Sequence, residues 1–126
     1  DIIQLLREIN IKPTSMIDIS DGLSSDLLHI CRESKTGCVI YETKIPVDPE
    51  TQKMAQEMNI SPATAALNGG EDYELLFTVP LSSYEQIRQR KEVSVIGHMV
   101  EENKGRKLIT SQGSEADLIA QGWRGF

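Results

Sequence analysis

The sequence predicts an α/β (α+β) sandwich, a mixed β-sheet flanked by helices. Three observations carry this. Some stretches repeat apolar residues at helical spacing, others crowd them into short β-branched runs, and the two kinds intermingle along the chain. Strict strand–helix–strand alternation fails late in the chain, where two strand-like runs are separated only by a polar turn, so the sheet is not purely parallel. No repeat, linker or low-complexity segment breaks the order, so residues 1–126 read as a single domain; 39% hydrophobic and 25% charged residues suit a globular chain able to bury a core.

The elements follow in order. IIQLLREI (2–9) has the pattern of a short amphipathic helix, and NIKP (10–13) ends it. SMIDI (15–19) reads as a short buried strand. Leu23, Leu27, Ile30 and Cys31 then mark one helix face, which should run to about Ser34 with Gly37 beyond its end. CVIYET (38–43) is apolar and β-branched enough for a strand. DPETQKMAQEM (48–58) offers Asp48 as an N-cap and Pro49 at the first helical position, and the Met54–Met58 pair reads as core. SPATAALNG (61–69) repeats that grammar and stops at Gly69. YELLFTV (73–79) is a strand, and Ser82 with Glu85 has capping-box spacing for a helix near 83–91. VSVIGHMV (93–100) and RKLITS (106–111) read as a hairpin around EENKG, with His98 structural; the tail EADLIAQGWRGF starts as a short helix before Gly122.

Composition narrows the chemistry. A net charge of −6 disfavours nucleic acid or an anionic membrane as partner. No apolar run reaches membrane-spanning length, and no basic stretch followed by an apolar one marks a signal peptide. The chain opens on Asp1 rather than Met, as a processed chain or a piece of a longer protein would. Cys31 and Cys38 read as buried reduced thiols, which points to the cytoplasm, and with only His29 and His98 a zinc site is not expected.

The chemistry concentrates in MIDISDGLSSDL (16–27), where a strand turns into a helix. On a strand Asp18 and Ser20 project to one side, and Asp21, in the turn, can swing towards it. Two carboxylates about 6 Å apart repel by roughly 3 kcal/mol at an effective dielectric of 20. A divalent cation reverses that sign, and magnesium favours such oxygen ligands. The alternative is helix capping, with Gly22 easing the turn. A second cluster, NGGEDYELLF (68–77), sets Glu71, Asp72 and Glu74 at the mouth of an apolar strand behind two glycines. It suits a cationic ligand, or simply a helix stop and a solvated loop. Trp123, the single tryptophan, reads as a core plug or a ligand platform.

MIDISDGLSSDLLHI (16–30), IP (45–46) and LNGGEDYELLFTVP (67–80), in that order and spacing, resemble the C-terminal domain of the thiamine-monophosphate kinases, and GWRGF resembles that family's tail. This family belongs with the aminoimidazole ribonucleotide synthetase and selenophosphate synthetase superfamily of ATP-using enzymes. The resemblance spans essentially all 126 residues but only about the second half of the usual enzyme. It implies transfer of the ATP γ-phosphoryl group to thiamine monophosphate, giving thiamine diphosphate, with Mg2+ and no covalent enzyme intermediate. By the same resemblance Asp18 and Asp21 are magnesium ligands, Ser20 contacts ATP, and Glu71 and Trp123 contact substrate. Gly125 stands where the family tail commonly carries a histidine. The N-terminal ATP-binding domain, which in the family supplies most metal and ATP ligands and the homodimer interface, is absent, so the resemblance implies that residues 1–126 are inactive alone. Two other readings stand beside it: a sister enzyme acting on another small metabolite, and a non-catalytic ligand-binding domain.

Overall fold

The computed structural model describes residues 2–19, 22–47, 49–59 and 75–120, and the backbone of 122–124. Helix α1 (Ile2–Glu8) leads to strand β1 (Ser15–Asp18), helix α2 (Leu23–Ser34) and strand β2 (Thr36–Tyr41). A 3-10 turn over Glu42–Lys44 takes the last two residues expected in the β2 run. Helix α3 (Pro49–Met58) begins with its proline at the first helical position, as read from sequence; Asp48, its expected cap, lies outside the described residues, as does 61–69. Then come β3 (Leu75–Thr78), the short helix α4 (Tyr84–Ile87), β4 (Gly97–Glu101), β5 (Arg106–Ile109), β6 (Glu115–Ile119) and β7 (Gly122–Arg124).

The strands form an antiparallel ribbon, β1–β3, and a five-stranded sheet of order β4-β2-β5-β6-β7. In the sheet β2 runs antiparallel to β4 and parallel to β5, so the sheet is mixed, as predicted. Helix α2 buries Leu23, Leu27, Ile30 and Cys31 against Cys38, Ile40, Leu108 and Leu118 of the sheet, the face its periodicity marked. The ribbon is apolar on both sides, which explains the unbroken run LLF. Ile17 and Leu76, opposite each other in register, join this main core, while Phe77 packs on a second core built on Leu6, Ile11 and Ile87.

Four expectations fail, each for a local physical reason. The 93–111 stretch is not a hairpin, because β2 inserts between β4 and β5. Gly37 admits it: a Cβ there would stand 2.1 Å from the Gly105 carbonyl oxygen and 2.9 Å from that of Glu101. The start of the tail is strand, not helix, because Ala116 and Leu118 bury alternate positions of β6. Ser82 and Glu85 make no capping box: Ser83 takes the N-cap place of α4 without a side-chain cap bond, and Glu85 instead accepts from Arg88 Nε at 2.9 Å. Met54 and Met58 are 46% and 61% exposed, so α3 buries only Ala55 and the two methionines are not core. Cys31 and Cys38 are buried and unbonded, as expected.

Candidate functional site

Hydrophobic alternation sets the direction of the first acid. Ile17 and Ile19 pack on the main core, so Asp18 and Met16 point the other way and are exposed. Asp18 is the last residue of β1 and pairs in register with Leu75, the first residue of β3. Strand β3 therefore begins directly opposite Asp18. Ser20, Asp21 and Glu71 themselves lie outside the described residues.

The turn after Asp18 ends at Gly22, whose φ of 114° and ψ of 153° fall in a region essentially reserved for glycine. Gly22 is the N-cap of α2, and its carbonyl accepts the Asp26 N–H at 3.0 Å. A glycine has no side chain to cap with, so the N-cap position offers no carboxylate or hydroxyl to the first-turn amides, and simple capping by the N-cap residue is not what this cluster provides. The positive end of the α2 dipole faces the turn and favours negative charge there.

Two polar residues that the sequence reading left without a role are buried at this end of the molecule. Ser24, fully buried, donates its hydroxyl to the Ile119 carbonyl. Ile119 pairs with Gly122, so this bond ties the α2 N-terminus to the β6–β7 connection. Asp26 is only 4% exposed in the same helical turn. Periodicity placed both residues on a helix without saying what they meet. The backbone of Trp123 stands opposite Leu118 on β7, one register step from Gly122.

A cavity of about 860 Å³ adjoins the turn. Ile19, Leu23 and Leu75 line one part; Tyr41, Lys44 and His98 line another. Lys44 Nζ stands 5.5 Å from the centre of the Tyr41 ring, and the His98 ring lies 5.9 Å from it at 39°. His98 is thus a surface residue packed on Tyr41, not part of a hairpin. Among the described residues no group of three His, Cys, Asp or Glu side chains converges on a point that would hold a metal; of the expected magnesium ligands only Asp18 is described. Its outward carboxylate at a strand end suits a hard cation that keeps most of its other ligands as water and phosphate oxygens.

Comparison with known proteins supplies the wider frame. Residues 1–110 match the family described as AIR synthase related protein, C-terminal domain. A thiamine-monophosphate kinase from Pyrococcus horikoshii is 40% identical over 116 residues, 92% of this chain and 35% of its own length. The solved structure of AaThiL complexed with AMPPCP and TMP superposes with a TM-score of 0.67 at 29% identity, over 98% of this chain and 37% of that one. The hydrogenase maturation protein HypE from E. coli reaches a TM-score of 0.72 over 94% of this chain and 37% of that one, but at 24% identity it shares the fold alone. The chain spans about a third of the length of these relatives.

Proposed function

The chain belongs to the AIR synthase related protein family, as its C-terminal domain, and from that membership we propose that it is the C-terminal part of a kinase that transfers the ATP γ-phosphoryl group to thiamine monophosphate. The observation that carries this reading is the pairing of Asp18 with Leu75. It sets Asp18 of MIDISDG opposite Leu75, the last residue of GGEDYEL. Relatives named thiamine-monophosphate kinase support the substrate, and AMPPCP and TMP in the related structure support ATP as the phosphoryl donor.

The described residues have definable roles in such a reaction. Asp18 holds a carboxylate in solvent at the end of a strand whose register is locked by Ile17 and Leu76. Gly22 turns the chain so that α2 presents its N-terminus to the same space, where its amides and dipole favour phosphate oxygens. Ser24 anchors that N-terminus to Ile119. Ile19, Leu23 and Leu75 give part of the adjoining cavity an apolar lining. Magnesium, when bound by Asp18 and Asp21, supplies charge neutralisation for the transferring phosphoryl group. Ser20 contacts ATP in this reading, and Glu71 and Trp123 contact the substrate. Glu71 precedes Leu75, the register partner of Asp18, by four residues in the sequence. Its negative charge complements the thiazolium cation.

The test restores the rest of the polypeptide and supplies ATP, magnesium and thiamine monophosphate. Thiamine diphosphate should form, and Asp21→Asn should lower kcat by on the order of a hundredfold or more while the fold is kept. No product from a folded wild type overturns the kinase reading. Full activity in Asp21→Asn removes that carboxylate from the metal site.

A further inference from the structure

The fully buried Ser24 hydroxyl donates to the carbonyl of Ile119, the last residue of β6. Ile119 pairs with Gly122 and Leu118 with Trp123, so the bond sits one register step from the backbone of Trp123 on β7. Helix α2 lies beside both strands. The two ends of this bond are not held equally. Next to the serine, Leu23 is in the main core, and Leu27, Ile30 and Cys31 follow it there, so α2 is fixed by burial. Strand β7 is three residues long, stands at the edge of the sheet and pairs with β6 alone among the described strands. Only Ala120 and Gln121 connect the paired Ile119 and Gly122. Two-residue hairpin connections are set by Asn-Gly, Asp-Gly or another glycine pair, which supply the positive φ such turns need. Alanine and glutamine do not supply it. The connection is therefore not fixed by its own chemistry, and a buried donor from α2 holds the carbonyl at its start.

We propose that Ser24 is a positioning residue for the phosphoryl acceptor: its bond to Ile119 sets strand β7, and the Trp123 it carries, against the end of α2 that follows the metal turn. The inference rests on the kinase reading, in which Trp123 contacts thiamine monophosphate, and adds to it a residue that touches neither ligand. The two ligands ask different things of Ser24. In that reading ATP and magnesium meet the turn at Asp18, whose strand is held in the core by Ile17 opposite Leu76 and needs nothing from β7. The acceptor has to satisfy Trp123 and the turn at once, so its binding depends on how the two are spaced. When the hydroxyl is removed, the edge strand shifts and the buried helix stays. The acceptor is weakened and the donor is spared.

The experiment measures Ser24→Ala in the whole polypeptide with ATP, magnesium and thiamine monophosphate. KM for thiamine monophosphate should rise on the order of tenfold, while KM for ATP and the magnesium dependence stay within about twofold. Adding Ala120→Asn and Gln121→Gly, the pair that sets a two-residue turn by itself, should recover the acceptor KM without the serine. Trp123 is the single tryptophan of the 126-residue chain, so in that chain Ser24→Ala should raise acrylamide quenching of its emission. Equal rises in KM for ATP and thiamine monophosphate overturn the proposal, because the serine then serves the helix and the metal turn. So does a wild-type acceptor KM in Ser24→Ala, or a folded triple variant that recovers nothing. A wild type that forms no thiamine diphosphate overturns the kinase reading and the acceptor role with it, and quenching still decides whether Ser24 holds β7. If Ser24→Ala fails to fold, by circular dichroism, Ser24→Cys, a weaker donor, carries the same comparisons.

Discussion

Gly22→Ala probes the turn on which the site depends. At φ 114° and ψ 153° the residue sits where an L side chain clashes with its own backbone, and holding alanine there costs about 1–3 kcal/mol. Alanine also restricts the unfolded chain, which offsets about 0.4–1 kcal/mol of that strain. The midpoints of the two ranges leave a net destabilisation of about 1.3 kcal/mol, read from the urea midpoint at unchanged m-value. Asparagine gives no rescue, because its tolerance is for left-handed helical angles near about 57° and 47°, a different region. A cheaper escape for the chain is to relax φ, which withdraws the Gly22 carbonyl from the Asp26 N–H and frays the first turn of α2. Amide exchange at Asp26 should then quicken more than at Ile30. The reasoning is refuted if Gly22→Ala is as stable as wild type with Asp26 still protected, or if Gly22→Asn restores what alanine loses.

Gly37→Ala places a methyl group 2.1 Å from one backbone oxygen and 2.9 Å from another, neither able to swing aside. It should cost on the order of 2 kcal/mol or more by urea unfolding, and a wild-type midpoint would contradict the insertion of β2 between β4 and β5. Ser24→Ala leaves the Ile119 carbonyl without its hydroxyl donor, an expected loss of about 1–3 kcal/mol with faster amide exchange across β6–β7. Lys107 and Asp117 pair across β5 and β6 at 2.5 Å, and the hydrogen bond from Lys107 to Asp117 raises the lysine. Its contribution is fully present below the ordinary lysine value of 10.5 and fades as pH rises through the raised folded value. Asp117→Asn should thus narrow its stability gap from wild type in that alkaline window, and a gap that widens there would contradict the pair.

Sequence patterns made α1, β1, α2 and β3 legible because each carries its own period and is bounded by a turn residue. What they could not show was partnership. VSVIGHMV and RKLITS look like neighbours because a short polar turn joins them, and nothing local says that β2 intervenes; the signal is Gly37, far upstream, whose missing Cβ matters only once three strands meet. The β6 stretch was the reverse case. EADLI carries a period of two in Ala116 and Leu118, but so short a run cannot outweigh the helix-favouring Glu, Ala and Leu until the sheet edge of β5 is there to pair with it. Cys31 and Cys38 were legible as buried, from a helix face and a β-branched run.

The direction of Asp18 was legible in the sequence, and for a physical reason. This acid is aimed by hydrophobicity rather than by any specific contact. Ile17, opposite Leu76, and Ile19 both pack on the main core, so Asp18 must face solvent; a slip of one residue in the β1–β3 pairing would bury the carboxylate and expose two isoleucines. At about 1.5–3 kcal/mol per isoleucine, with the penalty for an unpaired buried charge added, the slipped register is out of reach for a marginally stable domain. Ile17→Asp should therefore not redirect Asp18 but unfold the ribbon, whereas Ile17→Val should leave the geometry of the acid intact at a cost of about 0.5–1.5 kcal/mol. If Ile17→Asp instead stays folded with Asp18 turned inward, read from amide exchange and from the loss of metal-dependent activity in the whole polypeptide, something other than the core sets the direction of this carboxylate.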